Sequence, residues 1–319
     1  MASDQQSLRE AFGRALTTIG AVQRDFVVLD ADVAGGTSTS HFKAAFPERF
    51  YDFGIAEQNM MAAASGMAAV GLRPFVTTFA VFATMRALEQ LRTFVAYPRF
   101  PVTVAGSHCG LDVGPDGATA QALEDIAITR AIANLTVVAP ADPTEMAMAV
   151  QAILAHDGPV YLRTGRSPVP VLFGVDHHFE LGRGQVLEDG DDVTIVATGV
   201  MVHRALAASA MLRREGVRAR VVNMPTIKPL DVPLLVESAS RTGAIVTAED
   251  HSIIGGLGGA VAEALAVHHP TPVAMVGVRD RFGASGEPAA LATHFGIGAL
   301  DVAAAARDLV HAKGARRCA

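Results

Sequence analysis

An α/β protein built from two open, mostly parallel sheets is the fold the sequence predicts, on three observations. Short β-branched runs alternate with alanine-rich stretches of helical length almost throughout the chain. A segment over 166–190, broken by Pro and Gly and ending in an acidic turn, separates two such series. The length of 319 residues divides into about two domains of ordinary size. The expected units are 1–172 and 181–319.

In the first unit, 26–29, 102–104, 136–138 and 160–162 are apolar enough to be covered on both faces, as strands of a parallel sheet are. Asp142-Pro143-Thr144-Glu145 is a helix start, with Asp as cap, Pro in the first turn and Glu three residues on. The separating segment carries His177-His178 and the acidic turn Glu188-Asp-Gly-Asp-Asp192, and reads as the linker. In the second unit strands are expected at 193–196, 219–222 and 244–247. Helices are expected at 203–215, 232–241 and 258–267.

Composition removes several function classes. Half the residues are hydrophobic, 18% are charged, and the mean hydropathy is +0.31, which is not the profile of a disordered chain. Cys109 and Cys318 are the only cysteines, so no disulfide scaffold is built. The apolar run 60–72 stops at Arg73-Pro74, short of the ~18 residues of a membrane span, and no membrane partner is expected. Net charge is −6 with no basic block, so nucleic acid is not the expected partner either. The N-terminus has no basic-then-apolar signal, and a cytoplasmic location is expected. A chain this apolar, with no Trp and three Tyr, has more greasy surface than one monomer needs. Burial between subunits is the physical outlet.

The motifs of self-contained sites are missing. Gly255-Gly-Leu-Gly-Gly259 has its glycines at the wrong spacing for a dinucleotide loop. It can be read as an anion site at a helix start or as close packing at a dimer contact, and the dimer contact is favoured. No P-loop, H-E-x-x-H, C-x-x-C or G-x-S-x-G occurs, and the eleven histidines are scattered, so no metal site is expected in this chain.

Phe53-Gly-Ile-Ala-Glu57-Gln-Asn-Met precedes a helix over 60–69 that is apolar on nearly every side, and belongs in a core or an interface. Glu57 falls in its first turn, on one face with Met61, Ala64 and Ala68. It either helps to cap the helix or sits as a carboxylate in an apolar pocket. Phe79 and Phe82 follow, three residues apart at a strand-to-helix junction, and taken alone read as core. A polar, Gly-rich loop, 104–121, then leaves a strand end, where open α/β sheets build ligand sites. His108 in it taken alone is a hydrogen-bonded loop histidine.

The order of Phe53-Gly-Ile-Ala-Glu-Gln-Asn, Gly71-Leu-Arg-Pro-Phe, Phe79 with Phe82, and Gly114-Pro-Asp-Gly-Ala-Thr-x-Gln resembles the transketolase family. The likeness continues through Val138-Ala-Pro-Ala-Asp-Pro, Pro159-Val-Tyr-Leu-Arg-Thr-Gly-Arg166 and Glu249-Asp-His251. It is nearest to the C-terminal subunit of a split transketolase, with a pyrimidine-binding domain and a C-terminal domain. The resemblance implies thiamine diphosphate as cofactor and transfer of a two-carbon ketol unit from a ketose to an aldose phosphate. Glu57 matches the glutamate that hydrogen-bonds a pyrimidine nitrogen, a role that calls for a raised pKa. Phe79 and Phe82 match the aromatics packed on that ring, and Ile55 also matches a cofactor contact. Met85 stands where some relatives carry a third aromatic. His108, Asp116 and Arg163 match substrate contacts, the last to a sugar phosphate. Asp32, Thr37 and Ser38 match a loop lining the substrate channel.

Two departures follow. Ala120 stands where relatives usually carry a substrate-contacting His, which implies either a bulkier, branched or differently charged sugar, or neutral drift. The Gly-Asp-Gly…Asn pair that holds the divalent cation, Mg2+ or Ca2+, and the diphosphate is missing. The resemblance therefore implies an N-terminal partner subunit carrying that pair, a site shared between the chains, and two copies of each. Other expectations stay open: the beta subunit of a 2-oxo acid dehydrogenase, a deoxyxylulose phosphate synthase piece, or a non-catalytic assembly subunit.

Overall fold

The structure is a computed structural model that describes residues 5–317. Residues 1–4, read above for a signal, and Cys318 lie outside the described residues. In chain order the strands are β1 (Gln5–Ser7), β2 (Phe26–Asp30), β3 (Phe50–Asp52), β4 (Arg73–Phe79), β5 (Thr103–Ser107), β6 (Thr136–Val138) and β7 (Val160–Thr164). Then follow β8 (Pro168–Pro170), β9 (Gln185–Glu188), β10 (Val193–Ala197), β11 (Ala219–Asn223), β12 (Thr226–Lys228), β13 (Ile245–Ser252) and β14 (Val273–Val278).

Two open sheets, mostly parallel, carry the fold as predicted. The first has seven strands in the order β12-β6-β7-β5-β4-β2-β3, and the second has five in the order β14-β13-β10-β11-β9. Every residue of β2, β5 and β7 is buried, because helices cover both faces of the sheet. Pairing is parallel within both sheets except at one edge of each, where β12 runs against β6 and β9 against β11.

At those edges the expected linker and the second half of the chain enter the sheets. β12 comes from the second half of the chain and completes the first sheet. The segment 166–190 supplies β8, which pairs with β1, and β9, the edge of the second sheet. The His177 side chain in that segment is buried, its ring stacked 3.9 Å from Phe173. One apolar core is shared by the two halves, joining Met60, Met61 and Val76 to Val222, Met224 and Leu257.

The helices follow the sequence closely. Helix Glu57–Ala69 buries Glu57, Met60, Met61, Ala64 and Ala68, the face anticipated from helical spacing. Helix Pro143–Ala155 is capped by Asp142, whose carboxylate accepts from Glu145 N. A longer apolar stretch than 60–72 exists at 288–314, long and apolar enough to cross a membrane by composition. It is broken into helices Pro288–Phe295 and Ala299–Arg317 at Gly296, which adopts φ +70°. Leu291, Phe295, Ile297, Val302 and Ala306 of this stretch are buried in the core of the second sheet, which explains its apolar character.

Candidate active site

The parallel order brings the C-terminal ends of β2, β4, β5 and β7 side by side, and the loops that leave them face one another. Asp30, fully buried at the end of β2, organises the first of these loops. Its carboxylate accepts from Val33 N at 2.7 Å, Thr37 Oγ1 at 3.2 Å, Thr39 Oγ1 at 3.0 Å and Thr77 Oγ1 at 2.9 Å. Burial pushes this carboxyl above its usual range, and the four hydrogen bonds only partly offset that. The pinned loop sets Gly36 where a Cβ would come 3.1 Å from the ring of Phe79, so the backbone itself forms a wall of the site.

Three rings are layered beside that wall. Phe79, the last residue of β4, stacks on His108 at 3.9 Å and on Phe82 at 6.0 Å with 17° between planes. Phe82 opens a wide π-helical turn, Phe82–Arg86, a widening common at functional sites. His108 follows β5 with φ +60° and is buried, its Nδ1 3.0 Å from Ser107 Oγ and its Nε2 3.9 Å from Asp116. Its pKa is lowered to about 4, by burial above all and by the Arg9 and Arg166 guanidiniums, with Asp116 opposing them. The ring is therefore neutral near pH 7 and can donate or accept one hydrogen bond at Nε2.

Glu57 is 3% exposed in the first turn of its helix. Its carboxylate does not cap that helix. Both oxygens accept from Arg86 Nη1 at 3.1 Å, and the Arg86 guanidinium lies 4.4 Å from the centre of the Phe82 ring. Ile55, two residues before Glu57, is 78% exposed, and Met85 is also exposed. The carboxylate thus sits at the edge of a surface that carries bare apolar side chains.

The remaining anticipated residues divide. Asp116 joins His108 and, at 3.5 Å, Arg166 Nη2. Arg163 does not reach the site. Its Nε and Nη2 are spent on Asp125 at 2.8 and 3.2 Å, and Nη2 also donates to the Asp250 carbonyl at 2.7 Å. A guanidinium in the interior needs that partner, so Arg163 joins the two halves instead of meeting a phosphate. The Thr37 hydroxyl is taken by Asp30 and the Ser38 hydroxyl by Glu10, so both shape the loop; Asp32 is exposed. Cys109 is buried, and burial together with the Asp125 charge pushes its thiol far up, which makes it inert.

Arg9 and Arg166 are the groups missed in sequence. Arg166 stands one residue past Gly165, beyond the buried end of β7, and its place on the rim was the available signal. Arg9 donates to the Gly36 carbonyl at 2.9 Å from helix Leu8–Gly20, and nothing local marked it. The site loop is tied to the second half by Asp250, which accepts from Leu111 N at 2.9 Å and Asp112 N at 3.1 Å. Burial, reinforced by the Asp250 charge, raises Asp112 to about 6.

Within the chain, the glycine run 255–259 packs closely and its helix start is already occupied. Glu249 already fills the start of helix Leu257–His268, accepting from Leu257 N at 2.7 Å and Gly258 N at 2.8 Å. A Cβ on Gly256 would lie 2.0 Å from that carboxylate.

Comparison with known proteins agrees with this geometry. The profile described as transketolase, pyrimidine binding domain matches residues 4–171, and that of the transketolase C-terminal domain matches 182–302. A Clostridium sp. protein described as a 6-deoxy-6-sulfo-D-fructose transketolase subunit is 40% identical, over 98% of this chain and 97% of its own. The Homo sapiens transketolase is 37% identical over 96% of this chain, which spans only 49% of the human protein. A solved structure described as a split gene transketolase, inactive beta4 tetramer, superposes with a TM-score of 0.90 at 50% identity. The match covers 96% of this chain and 98% of that one.

Proposed function

The chain belongs to the transketolase family, and from that premise we propose that it is the C-terminal subunit of a two-chain, thiamine diphosphate-dependent transketolase. The observation that carries this reading is the buried Glu57 carboxylate set beside the layered rings of Phe79 and Phe82. Those groups fit an aminopyrimidine: a buried carboxyl group that makes no cap bond and meets only one half-exposed side chain can pair with a ring nitrogen, and flat aromatic faces suit a flat ring. When bound, the cofactor supplies the electron sink for cleaving the bond beside a ketose carbonyl.

This chain's own residues then have definable tasks. Glu57 holds a proton on a pyrimidine nitrogen in a site from which its apolar helix excludes water. Phe79 and Phe82 fix the ring plane. The neutral His108 presents Nε2 to a substrate hydroxyl, with Asp116 beside it. Arg9 and Arg166 place two guanidiniums near that imidazole, suited to the anionic end of a sugar, whether phosphate or sulfonate. Ala120, half-buried in the same loop, leaves room there for a substrate other than the ordinary pentose phosphates.

The divalent cation and the diphosphate belong on an N-terminal partner subunit. The span of half a human transketolase supports that division. So do the exposed apolar side chains Ile55 and Met85, close to Glu57 in the fold, and Phe94 and Tyr97, further along the same helical stretch. The chain should be co-expressed with a partner bearing the Gly-Asp-Gly…Asn pattern and assayed for ketol transfer with thiamine diphosphate and Mg2+. Activity only in the mixture is the expected result. Full activity of this chain alone would refute the shared site, and no activity with any such partner would remove the transketolase reading.

A further inference from the structure

Arg86 spans both groups assigned above to the pyrimidine ring. Residues 82 and 86 are four apart in a helical turn, so they share a face, and the guanidinium lies 4.4 Å from the centre of the Phe82 ring. From there Nη1 reaches both Glu57 oxygens at 3.1 Å. A planar, delocalised cation with N–H donors toward a carboxylate and its centre over an aromatic ring offers the chemistry of an aminopyrimidine. The hold is one-sided. Both bonds use the same nitrogen, and the side chain is 47% exposed while Glu57 is 3% exposed. The guanidinium can therefore swing to solvent and be hydrated there, whereas the carboxylate it leaves stays buried and needs another donor.

We propose that Arg86 is a positioning residue that stands in for the pyrimidine ring in the cofactor-free chain. It keeps the buried Glu57 carboxylate paired and aimed until the cofactor displaces it. This rests on the transketolase reading of the site. One consequence is that cofactor affinity is lowered by the fraction of chains in which Arg86 occupies the place.

The test titrates thiamine diphosphate with Mg2+ into the two-chain enzyme, wild type against Arg86→Ala and Arg86→Gln, by calorimetry. Thermal unfolding is followed with and without cofactor, and Arg86→Lys serves as the conservative variant. Arg86→Ala and Arg86→Gln should bind the cofactor about fivefold or more tightly, and their cofactor-free unfolding midpoint should fall. Lysine keeps the charge without the flat face, and should lie between wild type and alanine in both readings. An arginine of merely structural value would weaken binding as it lowered stability, which is the opposite sign. Equal or weaker binding in both Arg86→Ala and Arg86→Gln overturns the proposal, as does an unchanged cofactor-free midpoint. Failure of the wild-type pair to bind cofactor at all is a different result, and it takes down the transketolase reading together with this one.

Discussion

At Glu57 a buried carboxylate depends on one half-exposed guanidinium, so loss of the charge releases Arg86 to water and costs the fold little. The loss should fall on chemistry instead. In the reconstituted enzyme Glu57→Gln should lower kcat by about 100-fold or more, the scale of a proton-holding group, with subunit assembly unchanged by sedimentation. His108 links the site to stability. Its folded pKa of about 4 lies below its ordinary 6.5, so as pH falls between those values the unfolded chain takes up a proton that the folded chain refuses. Stability from this group is complete above pH 6.5 and declines below it. The melting temperature of His108→Asn should fall less steeply over that range than that of the wild type. Asp112 works in the other direction, since a carboxyl raised to about 6 loses stability as pH rises through that value. The comparison of slopes therefore has to be made against the wild type. Glu57 and the two phenylalanines stood out in the sequence only through the family resemblance, since taken alone they read as a helix cap and as core. Arg163 was misread because a guanidinium at a strand end looks the same in sequence whether it turns inward to Asp125 or outward to ligand.

Among the elements, helix Pro143–Ala155 shows how much a single cap can carry. Asp142 accepts from Glu145 N at 2.7 Å, and also from Leu172 N at 2.7 Å and Phe173 N at 2.9 Å, so it binds the following segment as well as its own helix. Asp142→Ala leaves three N–H groups without that acceptor. It should cost about 2–4 kcal/mol, more than the ~1 kcal/mol of an ordinary cap, with a lower urea midpoint. Asn at the same position should recover part of the loss. The start of this helix was readable from four consecutive residues, because capping is local chemistry. The wide turn Phe82–Arg86 was not, since its spacing is set by what Phe82 and Arg86 touch rather than by any residue's own preference.

Over the whole molecule, the two sheets are joined by β12, by the shared core and by the Arg163–Asp125–Asp250 contacts, so the site loop is held from both halves. The stretch Leu91–Ala96 and its end are left bare on the outside, with Phe94 and Tyr97 exposed at 42% and 82%. Phe94→Asp with Tyr97→Asp should leave the far-ultraviolet circular dichroism unchanged and weaken association with the partner or with further copies, as read by sedimentation equilibrium. Unaltered association would place the interface elsewhere.

Alternation of buried strands with helices, the Asp142 cap and the face of the Glu57 helix were determined by the sequence alone. Each depends on residues within a few positions of one another, and hydrophobic period and capping act over that range. Which arginine lies in the site, why Glu57 meets Arg86, that Glu249 rather than a ligand fills the glycine-rich helix start, and that β12 crosses to the other sheet were decided only by tertiary structure. A buried charge takes whichever partner the packed chain brings within hydrogen-bond reach. Those partners stand 38 residues from Arg163, 29 from Glu57 and 8 from Glu249, and the first two distances exceed any local rule.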